Sequence, residues 1–135
     1  MAVPGYTIDH DRATDALRMG LSFTEAQQVP MSSALTRIVG RAFIDEQGFC
    51  QADPFEPEIF RLRLFAGDRL VLCSDGVADF VAGVGAGPPM IEQKILETVL
   101  ANPDPARACY ELTVLANRTG GYDNISCIVV AAYQN

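Results

Sequence analysis

The sequence has no apolar run approaching the roughly 18 residues that a membrane-spanning helix requires. Its first residues, MAVPGYTIDH, carry neither the basic flank nor the apolar stretch of a secretory signal. Together these absences give the expectation of a cytoplasmic protein that does not engage a membrane. Clustered Lys and Arg are also missing. Ten basic residues against 17 acidic ones leave a formal net charge of −7, which argues against a nucleic-acid surface, because phosphate binding needs concentrated positive charge. The acid excess suits carboxylates gathered around cations, and it equally suits ordinary solubility. The four cysteines, at 50, 73, 109 and 127, show no close pairing. Three of them lie in apolar runs, so reduced core thiols are expected rather than disulfides or a zinc site. No internal repeat, low-complexity tract or convincing linker divides the chain, and 49% hydrophobic with 20% charged residues fits one globular domain over 1–135.

What is present can be followed along the chain. Ala13, Ala16, Leu17 and Met19 recur among polar residues before Gly20, which predicts a short helix over 9–19. The stretch SFTE has the Ser-x-x-Glu form of a capping box and opens another turn or two at Ser22, closed by Pro30. The following MSSALTRIVGRAF reads as an irregular segment passing into a strand. In EIFRLRLF, Phe60, Leu62 and Leu64 alternate with Arg61 and Arg63, the pattern of a strand with one wet face. After the tight turn AGDRL, the run RLVLCS is continuously apolar, as in a strand covered on both faces. These two strands are expected to form a hairpin. Residues 83–89, GVGAGPP, read as an exposed, mobile loop. Ile91, Ile95, Leu96 and Val99 then share one helical face up to Pro103. Asp104 and Pro105 form an N-cap and first-turn pair for a helix whose inner face is Ala108, Leu112 and Leu115. The chain finishes with GGYDN turning into the β-branched strand ISCIVVAAY.

Within this frame the stretch LVLCSDGVADF, residues 70–80, is unusual. A carboxylate at the end of a buried strand is costly to leave charged unless a cation or hydrogen-bond donors meet it, so Asp75 needs a partner. Gly76 lets the backbone turn and removes a side chain that would crowd whatever Asp75 binds. GGYDN places Asp123 just before the last strand, so both carboxylates can lie at strand ends facing one site. Magnesium and manganese favour such oxygen ligands and keep several waters. Taken singly, each motif also has a plain structural reading, because Asp-Gly is an ordinary turn dipeptide and Asp before a strand often caps an N–H.

In their fuller contexts, GDRLVLCSDGVADF and TGGYDNISCIVV resemble the closing motifs of the metal-dependent serine/threonine phosphatases of the protein phosphatase 2C type. TIDHD at Thr7–Asp11, ALTRIVG at Ala34–Gly40 and the helix pair between the two aspartate motifs are similar to that family in the same order. The resemblance implies an α+β fold, a central β-sandwich flanked by helices, and a two-metal hydrolase. Asp75 and Asp123 match ligands of one of two Mg²⁺ or Mn²⁺ ions, with Gly76 and Asn124 in support. It further implies that a hydroxide held by the metals attacks phosphoserine or phosphothreonine in line, with no phosphoenzyme. The absence of a Cys-x5-Arg nucleophile motif agrees with that implication.

The resemblance covers roughly the C-terminal half of such a domain. The family's earlier strands, with their phosphate arginine, further metal carboxylates and Gly-Asp-Ser-Arg segment, have no counterpart, and Gly67 and Asp68 belong to a turn instead. The expectation is therefore a partial sandwich with a weak or incomplete metal site and no identifiable catalytic residue beyond the ligands. Its partner would be a phosphoprotein substrate or a chain supplying the other half, with an exposed apolar patch favouring homo-oligomers. The alternative is a non-catalytic regulatory or interaction module. His10 is read as bracing a turn, Arg37 as a structural ion-pair former, and Asp79 as lining or capping the turn after Asp75.

Overall fold

The computed structural model describes residues 5, 7–52 and 57–134, so part of the N-terminal stretch read above lies outside the described residues. The fold is α+β, with five helices and two two-stranded antiparallel sheets among those residues. Contacts divide it into two compact units, one spanning Gly5–Arg61 and one containing Leu62–Asn135.

In the first unit, α1 (Arg12–Arg18) starts where the Asp11 carboxylate accepts the Thr14 N–H at 2.6 Å. The expected capping box opens α2 (Phe23–Gln27): Ser22 Oγ accepts from the Glu25 N–H, and the Glu25 carboxylate accepts from the Ser22 N–H at 2.9 Å. The Ser22 hydroxyl, donating to Glu25 Oε2 at 2.6 Å, and then the Ser22 N–H hold the Glu25 carboxyl below its ordinary range. Ala13, Ala16 and Ala26 form a small core with Val29 beside it. Leu17 in α1 and its C-cap Met19 are exposed; a helix of two turns packed through alanines buries only a narrow stripe. Strands β1 (Ala42–Ile44) and β2 (Cys50–Ala52) form a hairpin. Its turn is held by Asp45, which accepts from the Gln47 and Phe49 N–H groups.

In the second unit, β3 (Arg69–Cys73) pairs antiparallel with β4 (Cys127–Ala131), from Arg69 opposite Ala131 to Cys73 opposite Cys127. Between them in sequence come α3 (Asp75–Ala78), α4 (Pro88–Ala101) and α5 (Pro105–Thr119). The core joins Val77, Val81, Val99, Ala108 and Leu112, with Val71, Ile91, Ile95, Cys127 and Val129 packed around it. Helix α5 begins as its sequence requires: Asp104 accepts the Ala106 N–H at 3.1 Å and Pro105 occupies the first turn, where its missing N–H leaves no bond unmade.

Three sequence expectations are corrected. EIFRLRLF is not a strand: residues 57–65 carry no ladder, and Phe60 and Leu62 are exposed. The AGDRL turn does form, with the Asp68 N–H donating to Phe65 O at 2.9 Å and Gly67 at φ +97°. Its remaining groups bond the far end of β4 instead of a hairpin partner: the Gly67 N–H donates to Ala132 O and the Ala132 N–H to Asp68 O. Alternation fixes which side chains share a face, but a strand also needs a partner for its backbone groups. Second, β3 and β4 are covered on one face only. Val71, Cys127 and Val129 pack on the core, whereas Leu72 and Ile128 are exposed. Third, GVGAGPP is not loop to its end, because Pro88 and Pro89 already form the first turn of α4.

The cysteines are free, as expected, but not uniformly in the core. Cys50 and Cys73 are exposed, and Cys109 and Cys127 are half-buried.

Candidate metal centre

The antiparallel register carries the two aspartate motifs to the same end of the β3–β4 ladder. Cys73 and Cys127 are the last paired residues. One step beyond them the Ser74 N–H donates to Ser126 O at 3.0 Å. Ser74 Oγ then ties the two turns together, donating to Asn124 O at 2.8 Å and accepting the Ser126 N–H at 3.0 Å. Asp75 and Asp123, 48 positions apart, therefore leave from the two strands of one pair.

Gly76 allows this approach. It is buried in the first turn of α3, and its φ is not positive, so backbone freedom is not what the position demands. A Cβ there would lie 3.0 Å from the Asn124 carbonyl carbon and nearer still to its oxygen. Glycine is needed because the second aspartate turn occupies the space a side chain would fill.

The GGYDN glycines have separate reasons. A Cβ on Gly120 would stand 2.7 Å from Cε1 of the Phe80 ring, with Cδ1 nearer. Gly121 adopts φ +66°, where a side chain is strained. Thr119 Oγ1 donates to Phe80 O, and the Phe80 ring meets Tyr122 edge-on at 6.1 Å. The end of α5 is thus clamped to the segment following α3, which fixes where the Asp123 turn begins.

Each carboxylate is exposed and uses one oxygen locally. Asp75 Oδ1 accepts the Gly76 N–H at 2.9 Å, and Asp123 Oδ1 accepts the Asn124 N–H at 2.6 Å. No hydrogen bond engages either Oδ2 among the described residues. The donor set therefore fits a hard divalent cation in kind, being oxygen only, and fits it in part by number. Among the described residues no group of three or more His, Cys, Asp or Glu is arranged to hold a metal.

The remaining singled-out residues are elsewhere. Asp79 closes α3, its N–H donating to Asp75 O at 2.7 Å. His10 braces the first unit: its carbonyl accepts from the Thr36 N–H and hydroxyl at 2.7 and 3.1 Å. Its Nδ1 lies 3.1 Å from an Arg18 guanidinium nitrogen and Nε2 lies 2.6 Å from Glu58. Because a guanidinium only donates, Nδ1 is the acceptor there and the ring proton belongs on Nε2. Arg37 lines a groove of about 340 Å³ with His10 and Glu58. Sequence reasoning passed over Ser74, Phe80 and Thr119. Ser before Asp-Gly was the one local signal, since its hydroxyl can bond neighbouring backbone.

The chain is similar to bacterial serine/threonine protein phosphatases, and its resemblance to the protein phosphatase 2C type is borne out as a match to a fragment of the domain. It is 38% identical over 74 residues to the serine/threonine protein phosphatase PstP of Mycobacterium tuberculosis, covering 55% of this chain and 12% of that protein. It is 28% identical over 126 residues to the protein phosphatase PhpP of Streptococcus pneumoniae, covering 93% of this chain and 44% of that protein. The chain thus spans less than half the length of these curated relatives. No family model matches the chain, and no solved structure matches it. No described helix is long and apolar enough to cross a membrane.

Proposed function

We propose that this chain forms part of a metal-dependent protein serine/threonine phosphatase and contributes Asp75 and Asp123 to its metal centre. The observation that carries the reading is the seat of Gly76 against the Asn124 carbonyl, which keeps two exposed carboxylates, each with an unengaged oxygen, at one end of one strand pair. Mg²⁺ or Mn²⁺ held there would activate water and neutralise charge on a phosphoryl group. The protein's own part is positional: Ser74 locks the two turns together, and the Gly76 and Asn124 N–H groups orient the carboxylates. The substrate class is phosphoserine or phosphothreonine in proteins, a reading supported by the name of the relative PstP, a serine/threonine protein phosphatase.

Two carboxylates with waters make an incomplete shell, so activity requires further ligands beyond those these 135 residues bring together. The one-sided cover of β3 and β4 supports the same view, since the apolar face with Leu72 and Ile128 suits a second sheet of a helix-flanked sandwich. The test is Mn²⁺-dependent hydrolysis of p-nitrophenyl phosphate and of a phosphothreonine peptide. The 135-residue chain alone is expected to show none. Joined behind the N-terminal half of a related phosphatase it is expected to turn over, and Asp123→Ala in that fusion should lower the rate by about a thousandfold or more. A folded fusion indifferent to Asp123→Ala would refute the assignment.

A further inference from the structure

Helix α5 presents Cys109 beside Ala108 and Leu112, its buried positions, and so toward the sheet they pack on. The Cys109 thiol donates to the carbonyl of Cys127 at 3.0 Å. Cys127 is itself half-buried on the core-facing side of β4, and both thiols are free. One free thiol thus rests on the main chain of the residue carrying another, across a helix–sheet contact.

We propose that Cys109 and Cys127 form a modification site, a dithiol that a peroxide converts into a disulfide clamping α5 onto β4. This goes beyond the phosphatase reading and stands independently of it. Cys73 lies opposite Cys127 in the ladder and is the competing partner. Burial first, then the neighbouring Cys109 and Cys73, pushes the Cys127 thiol up to about 12. Cys109, whose sulfur already reaches the main chain of Cys127, is the first to react. Its thiolate takes one peroxide oxygen, the O–O bond breaks, and the departing hydroxide leaves as water with the proton that Cys109 gave up. The Cys127 sulfur then displaces hydroxide from the sulfenic acid. The S–S bond forms, the S–O bond breaks, and the Cys127 proton leaves in a second water. Two electrons pass from the sulfur pair to the peroxide.

The chain suits a direct assay, because trypsin, cutting after Lys and Arg, places the four cysteines in four different fragments: 42–61, 70–94, 108–118 and 119–135. The 135-residue chain is treated with hydrogen peroxide, its remaining thiols are alkylated, and it is digested without reductant for mass spectrometry. Fragments 108–118 and 119–135 are expected joined, lighter by two hydrogens, with parallel loss of alkylated Cys109 and Cys127, and dithiothreitol should separate them. Cys109→Ser should leave Cys127 alkylated after peroxide. A bridge joining 70–94 to 119–135, sulfinic acid on Cys109 without a bridge, or unchanged alkylation of both thiols in the wild type would each overturn the proposal.

Discussion

Gly76 lies so close to Asn124 that a Cβ on the glycine would stand 3.0 Å from the Asn124 carbonyl carbon. Residues 48 positions apart in sequence therefore touch through their backbones, and the two aspartate turns hold a fixed spacing. Gly76→Ala should force the turns apart, destabilising the fold by about 1–3 kcal/mol as overpacking does. Urea unfolding checks this, and an unchanged midpoint would show that the turns separate freely.

Ser74 should matter almost as much. Ser74→Ala removes the donor to Asn124 O and the acceptor for the Ser126 N–H, a loss of about 1 kcal/mol per bond in the same assay. Restoring the hydroxyl with Thr should recover part of the loss.

The clamp at the other end of the Asp123 turn predicts coupling. Gly120→Ala meets the Phe80 ring, so its penalty should shrink when Phe80 is first replaced by Leu. A double-mutant cycle should give an interaction energy of about 0.5 kcal/mol or more; strict additivity would mean that the ring does not occupy that space.

These relationships also show what the sequence made legible. The capping box at Ser22, the Asp104–Pro105 start of α5 and its inner face of Ala108 and Leu112 rest on bonds or spacings within a few residues, and all are present. The shared end of Asp75 and Asp123 was legible as a possibility, because each motif borders a strand. The pairing of β3 with β4 was not, since EIFRLRLF offered a nearer partner and alternation carries no information about which backbone completes a ladder. The roles of Ser74 and Phe80 depend on residues 50 and 40 positions away, beyond any local pattern.

Alkaline stability follows from Cys127. Its thiol is pushed up from 9.0 to about 12, so the folded chain keeps a proton there that the unfolded chain loses. The stabilisation is complete below about pH 9 and disappears as pH rises toward 12. Urea midpoints across that window should fall more steeply for the wild type than for Cys127→Ala; parallel curves would place the thiol in water.

The most direct measurement of the central claim is calorimetric titration of Mn²⁺ into the 135-residue chain, Asp75→Asn, Asp123→Asn and the double variant, with folding of each checked by circular dichroism. A shared centre predicts a weak heat in the wild type that either single substitution removes, with nothing further lost in the double variant. Heats unchanged by either substitution, or halved by each and additive in the double, would contradict one site built from Asp75 and Asp123.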